Sequence, residues 1–217
     1  MTQGYNLINN TQFKGLIKLL PKDFDVYEFD FDKKYCILRT INRSHTVYLN
    51  IEISPVLFNV YQIAYPNKVV LHQLEIKQNN FNFNDHPTKY SEGVFEQHKS
   101  LDESFKGRKY CLTRINEITK ALKAYEYTFA TMLIQNNGFE AMFDMDLIRK
   151  AILPYPRTDH ILIGLECEDS NVCIIYQHSE HIKVNAMVAP KLIPHKNYDY
   201  RIKDCYKMLN EIKEGGL

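Results

Sequence analysis

The chain has 217 residues, with 27 lysines and arginines against 26 aspartates and glutamates, for a net charge of +1. That length suits one large domain or two of roughly 100 residues each. The near-zero charge excludes a protein drawn to nucleic acid by bulk basicity, so any DNA contact needs its positive charge gathered on one face.

In chain order, Tyr5 to Ile8 reads as a short strand. Thr11 is placed to N-cap a helix whose apolar positions Phe13, Leu16, Ile17 and Leu20 follow helical spacing, and Pro21 stops it. Three strands of period two follow, Val26 to Phe31, Tyr35 to Ile41 and Thr46 to Ile53. Asp32-Lys33-Lys34 and Asn42-Arg43-Ser44 supply the turns between them. The unit is β-α-β-β-β.

Val56 to Ala64 is apolar and aromatic, and Lys68 to Lys77 alternates as a strand does. From Gln78 to Gly107 the chain is polar, which reads as a long connector or a partly disordered loop. Arg108 to Tyr125 is expected to be a helix with Cys111, Ile115, Ile118 and Leu122 along one side. Tyr127 to Ile134 is expected to be a strand, and Asn136-Asn137-Gly138 a hairpin turn.

The next segment repeats the opening. Phe139 to Phe143 is a strand, and Asp144 or Asp146 caps a short helix carrying Leu147, Ile148, Ala151 and Ile152, closed by Pro154-Tyr155-Pro156. Strands follow at His160 to Glu166, Val172 to Gln177 and Ile182 to Val188. A last helix, Tyr198 to Lys213, is expected from the spacing of Ile202, Cys205 or Tyr206, Leu209 and Ile212. The fold class is therefore α+β: two β-α-β-β-β repeats, antiparallel sheets and helices on one face. The expected boundaries are residues 1–107 and 108–217.

Each expected helix carries cations off its apolar stripe. Lys14 and Lys18 are four apart and share a side. Lys120 and Lys123, with Arg114 nearby, mark the second helix, the adjacent pair Arg149 and Lys150 the third, and Lys203 and Lys207 the last. The acids Asp23, Asp25, Glu28, Asp30, Glu166, Glu168 and Asp169 fall largely on strands and turns. Such segregation suits sequence-blind, salt-sensitive contact with duplex phosphates, although exposed lysines also simply keep helices soluble.

The cysteines, Cys36, Cys111, Cys167, Cys173 and Cys205, are odd in number and mostly inside apolar runs. They read as free buried thiols in a reducing, cytoplasmic setting. Neither a signal peptide nor a run approaching ~18 apolar residues is present.

No P-loop, GxGxxG, GxSxG or HExxH occurs. Cys167-x5-Cys173-x4-His178-x2-His181 has zinc-compatible residues without finger or ribbon spacing. His86-Pro87-Thr88 supplies one of the two His-x-Thr strands that a two-histidine phosphoesterase needs. The Asp-x-Asp pairs at Asp30 and Asp32 and at Asp144 and Asp146 sit at element ends, where capping explains them. The alternatives to a scaffold are thus a small phosphoesterase or metal-dependent enzyme centred on His86 or on the Cys167 to His181 group, and an interaction domain of the same layout.

The segment NNTQFKGLIKLLPKDFDVYEFDFDKKYCILRTINRSHTVYLNIEI resembles the opening of a DNA sliding-clamp domain. Its part ILRTINRSHTVYLNIEI, residues 37–53, is similar to strands of proliferating-cell nuclear antigen, including the Ser44-His45 pair between them. The segment from Tyr127 to Ile193 resembles the last repeat of bacterial β clamps. Pro190 falls where that family has a Met-Pro-Met-Arg-Leu ending, although Ala189 and Lys191 depart from it, and 54–107 has no match. The resemblance implies a processivity factor without chemistry or cofactor. It also implies a homotrimeric ring, as in two-domain phage clamps of viral replication, with helices facing duplex DNA. A hydrophobic site for a polymerase peptide or another replication protein is implied at Val188, Pro190, Leu192 and Ile193.

Overall fold

The computed structural model describes residues 5–76, 82–85, 92–124, 131–136, 138–167, 169–191 and 205–209, with the backbone alone at 74, 92–97, 121, 123–124 and 205–209. The first repeat consists of β1 (Tyr5–Asn9), α1 (Thr11–Leu19), β2 (Phe24–Phe31), β3 (Cys36–Asn42) and β4 (Val47–Ile53). It leads into β5 (Phe58–Ile63), β6 (Asn67–His72) and the single turn α2 (Gln73–Ile76). The second repeat consists of β9 (Phe139–Asp144), α5 (Met145–Ala151), β10 (His160–Gly164), β11 (Val172–Ser179) and β12 (Ile182–Val188). Between the repeats lie α3 (Glu92–Glu103), β7 (Tyr110–Arg114), α4 (Ile115–Ala124) and β8 (Thr131–Asn136), and β13 (Cys205–Leu209) comes last.

One antiparallel sheet in the order β6-β2-β3-β4-β12-β11-β10-β7 holds both meanders. The repeats meet where β4 pairs with β12, with Asn50 opposite Asn185 midway along the ladder. The strands alternate as period two requires. Along β3, Cys36, Leu38, Thr40 and Asn42 are buried while the residues between them are half-buried. One face of this sheet packs against α1, α5, α4, the β1-β5 pair and the β8-β9 hairpin in a common core. No helix among the described residues is long and apolar enough to cross a membrane.

The structure corrects five expectations. Asn10, not Thr11, caps α1, its Oδ1 accepting from Phe13 N at 2.9 Å. The helix expected from Arg108 starts only at Ile115. Tyr110–Arg114 is a strand because Cys111 and Thr113 turn inward while Leu112 and Arg114 turn out, which lets it close the sheet beside β10. The final helix is replaced over its described residues by β13, which pairs in parallel with β8. Short apolar runs fit both periods, and an open sheet edge decides here.

The polar stretch before Gly107 is the fourth. It contains α3, and Phe83 enters the core from a turn of 3-10 helix at Phe83–Asp85. Nearby, Asn84 imitates a strand against β1, accepting from Leu7 N at 2.9 Å and donating to Leu7 O at 2.7 Å. The strand expected over Lys68 to Lys77 also ends early, at His72, where Glu75 accepts from the His72 amide at 2.7 Å and the chain turns into α2.

α3 lies on the sheet face opposite the core. Tyr48, Cys173 and Met187 form a small apolar patch there, which Leu101 and Phe105 cover. The rest of the attachment is polar. His98 Nδ1 is 2.7 Å from Glu28 Oε2, and Arg39 reaches Glu28 and Asp30 at 3.2 Å and Asp102 at 2.7 Å. Tyr48 and Asn50 both donate to the second oxygen of Asp102.

Candidate nucleic-acid and partner-binding surfaces

α1 forms because Phe13, Leu16 and Ile17 make one buried stripe behind the Asn10 cap. Lys14 and Lys18 project from its opposite side, exposed and without an ion pair among the described residues. α5 is built the same way. Asp144 caps it by accepting from Asp146 N at 2.8 Å, and Met145, Ile148 and Ala151 are buried.

The cations of α5 are engaged. Arg149 pairs with Asp146 and donates to Leu122 O at 3.0 Å. Lys150 pairs with Asp23 at 2.7 Å, which ties α5 to the start of β2. Lys120 on α4 is exposed, and so is Arg114, which ends β7 rather than starting a helix. Lys207 lies on β13 with its backbone opposite Leu133. The side chains of Lys123 and Lys207, and all of Lys203, lie outside the described residues. α1 and α5 rest on the same core, so Lys14, Lys18, Arg149 and Lys150 belong to one side of the sheet.

The expected partner segment leaves β12 beside the turn between β3 and β4. That turn is held by Asn42, whose Oδ1 accepts from Thr46 N at 2.8 Å and Val47 N at 2.9 Å, while His45 takes φ 56°. Val188 is buried opposite Val47. Ala189 N donates to Thr46 O at 2.8 Å, and Lys191 N donates to Met142 O at 2.7 Å. The half-buried Pro190 therefore sits on a strap joining the large sheet to the β8-β9 hairpin. Leu192 and Ile193 lie outside the described residues.

The structure does not gather the other chemistry-bearing residues. No group of three or more histidine, cysteine or acidic side chains among the described residues is placed to hold a metal. Cys167 is exposed, whereas Cys173 belongs to the patch under α3, where burial pushes its thiol up to about 11. His178 faces the other way and is 3.0 Å from Pro154 O. Asp30 is neutralised by Arg39, and Asp32 Oδ1 accepts from Lys34 N at 3.1 Å within its turn. His86 lies outside the described residues. Sequence reasoning missed the Glu28, Arg39, His98 and Asp102 network, whose members carry no local pattern.

Two β-α-β-β-β repeats, meeting edge to edge in one antiparallel sheet with a helix of each beneath the same face, define the fold of a DNA sliding clamp. The comparison with solved structures arrives at that fold. A. fulgidus PCNA, in a structure with the C-terminal region of FEN-1 bound, superposes with a TM-score of 0.58 at 13% identity over 88% of this chain and 99% of that one. PCNA from Entamoeba histolytica gives 0.57 at 11% identity, covering 88% and 100%, and PCNA from Thermococcus kodakaraensis 0.54 at 11%, covering 86% and 99%. No family model matches the sequence, and no curated protein matches it.

Proposed function

We propose that this protein is a sliding-clamp processivity factor, a scaffold without chemistry of its own that encircles duplex DNA and tethers a replication enzyme. The observation that carries this reading is the clamp fold over most of the chain, combined with lysines on α1 that have no ion pair among the described residues. Residues 1–107 and 108–217 act as two clamp-like modules per subunit, and subunits close into a trimeric ring.

Lys14, Lys18, Arg114 and Lys120 hold backbone phosphates loosely, with Lys123, Lys203 and Lys207 adding to the field and Arg149 and Lys150 acting through shared contacts. Diffuse attraction of this kind carries no sequence preference and lets the ring slide. A short peptide of a polymerase or another replication protein docks over Pro190, with Val188 beneath and Leu192 and Ile193 alongside.

The test combines sedimentation with duplex binding across a salt series. A trimeric mass is expected, with weak binding that steepens as salt falls and is lost in the Lys14→Glu, Lys18→Glu double variant at unchanged thermal midpoint. A monomer, or binding indifferent to the double variant, would overturn the reading.

A further inference from the structure

α3 is joined to the sheet without entering the common core. Leu101 of α3, and Phe105 just beyond its end, meet the small patch of Tyr48, Cys173 and Met187, and both stay half-buried. Asp102 carries the polar part of the contact. Its Oδ2 accepts from Arg39 Nε at 2.7 Å, and its Oδ1 accepts from the Tyr48 hydroxyl at 2.7 Å and from Asn50 Nδ2 at 2.5 Å.

The sheet side of this contact stands complete without α3. Glu28 and Asp30 on β2 face Arg39 on β3 and Lys68 on β6, two acids against two cations, so withdrawal of His98 and Asp102 strands no charge there. Glu28 and Asp30 hold the Arg39 guanidinium at 3.2 Å each, and Tyr48 and Asn50, two apart on β4, share one face. The three donors therefore converge on one carboxylate position whether or not Asp102 fills it. The α3 side gains from release. His98 is 1% exposed, and while its Nδ1 meets Glu28, its Nε2 is buried with no hydrogen-bond partner among the described residues, a cost that water removes. A segment with few buried apolar contacts opens more easily than the sheet beneath it.

We infer that α3 is a displaceable occupant of this seat, and that the seat takes a helical segment of a partner protein with the pattern the chain itself supplies. That pattern is an apolar residue, an acid next to it and an aromatic ring three positions further on, as Leu101, Asp102 and Phe105 stand. Three donors on one carboxylate select the acid, and the patch beside them selects the ring. α3 holds the site closed, since a tethered segment competes at an effective concentration on the order of millimolar. The seat needs neither ring closure nor DNA, so it stands or falls apart from the clamp reading.

A fluorescent peptide of residues 92–109, added to the full chain, serves as the probe. In the Asp102→Ala, Phe105→Ala double variant the seat is intact and the tethered competitor is weakened, so the probe should bind it about tenfold more tightly than the parent, or better. A probe carrying the same two substitutions should bind neither protein, and Met187→Ala added to the double variant should return the probe to weak binding. Hydrogen exchange of the isotope-labelled parent, read by NMR, needs no substitution. α3 should exchange about tenfold faster than β3 and β4, or more, and excess probe should speed α3 further while leaving those strands unchanged. This second measurement decides the matter if the thermal midpoint shows that the double variant has lost its fold. Equal binding of the probe to parent and double variant, undiminished binding by the substituted probe or to Met187→Ala, or protection of α3 that matches β3 and β4 and ignores the probe would overturn the inference.

Discussion

The two repeats share a topology and reach it with different materials. Around α1 the core is built from phenyl rings: Phe83 lies 4.7 Å from Phe29 and 5.0 Å from Phe31, both edge-on, and Phe13 lies 4.8 Å from Phe58. Around α5 it is mostly aliphatic, with Ile148, Ile161, Ile163, Ile174 and Val184 sharing the core with Phe143 and with Tyr176, whose hydroxyl is bonded to Leu153 N and Ala151 O. The outer surfaces differ in the same way. The first repeat carries a buried charge network under α3, and its α1 lysines have no ion pair among the described residues, whereas the cations of α5 are paired, Arg149 with Asp146 and Lys150 with Asp23 of the first repeat. A meander over one helix therefore fixes the fold without fixing what fills it, and each repeat was free to specialise its surface.

The sharpest test of that contrast is truncation of one ring in each core. Phe83→Ala should cost about 5 kcal/mol and Phe143→Ala about 3 kcal/mol, the ends of the usual range for buried phenylalanine. Edge-on ring pairs add to area burial, and stiff rings collapse poorly into a void. Chemical denaturation of both variants measures the difference, and equal losses would mean the aromatic cluster contributes only area.

The outer faces give the next largest effect. Arg39 is 12% exposed and pairs with the buried Glu28 and the half-buried Asp30 and Asp102, so Arg39→Met leaves Glu28 and Asp30 to Lys68 and His98 and takes the arginine from Asp102, at a cost of about 3 kcal/mol. Lys150→Met breaks a half-exposed pair with Asp23 and should cost under about 1 kcal/mol. Hydrogen exchange should locate the first loss in α3 and show no such local opening for the second. Protection of α3 surviving in Arg39→Met would show that Leu101 and Phe105 hold the helix alone.

These contrasts also mark how far the sequence could be read. Both repeats were legible because Phe13, Leu16 and Ile17 keep the helical period while Cys36, Leu38 and Thr40 keep the strand period, and each pattern is local. α3 was not. It is held by His98 and Asp102 against Glu28 and Arg39, and a polar attachment across that separation leaves no periodicity to find. Phe83 stood in an asparagine-rich run that looks solvated, and Tyr110–Arg114 merged with the amphipathic stretch of α4. Of the cation surface, Lys14 and Lys18 were legible from their spacing. The engagement of Lys150 by Asp23, 127 residues away, was not.

That engagement predicts a modest difference in DNA binding. Each phosphate contact removed should lower the slope of log affinity against log salt by about 1. Lys14→Ala with Lys18→Ala should lower it by about 2, and Arg149→Ala with Lys150→Ala by much less, because those cations already have partners. Equal slopes for the two double variants would place both helices on the same footing.

The smallest effect concerns acid sensitivity at the entrance to β2. The Arg43 guanidinium, hydrogen-bonded to Asp25 through Nε and through NH2 at 2.8 Å, holds the Asp25 carboxyl below the ordinary carboxylate value of about 3.9. A depressed acid stabilises the fold above its unfolded pKa and loses that contribution as pH falls through the folded one. Asp25→Asn should therefore flatten the stability curve slightly below about pH 4 and lower it slightly at neutral pH, since the pair is exposed to solvent and screened by salt. Denaturation midpoints measured across acid pH, at low and high salt, should separate Asp25→Asn from the parent only at low salt. A separation that persists at high salt would mean the turn between β3 and β4 depends on this contact more than its exposure allows.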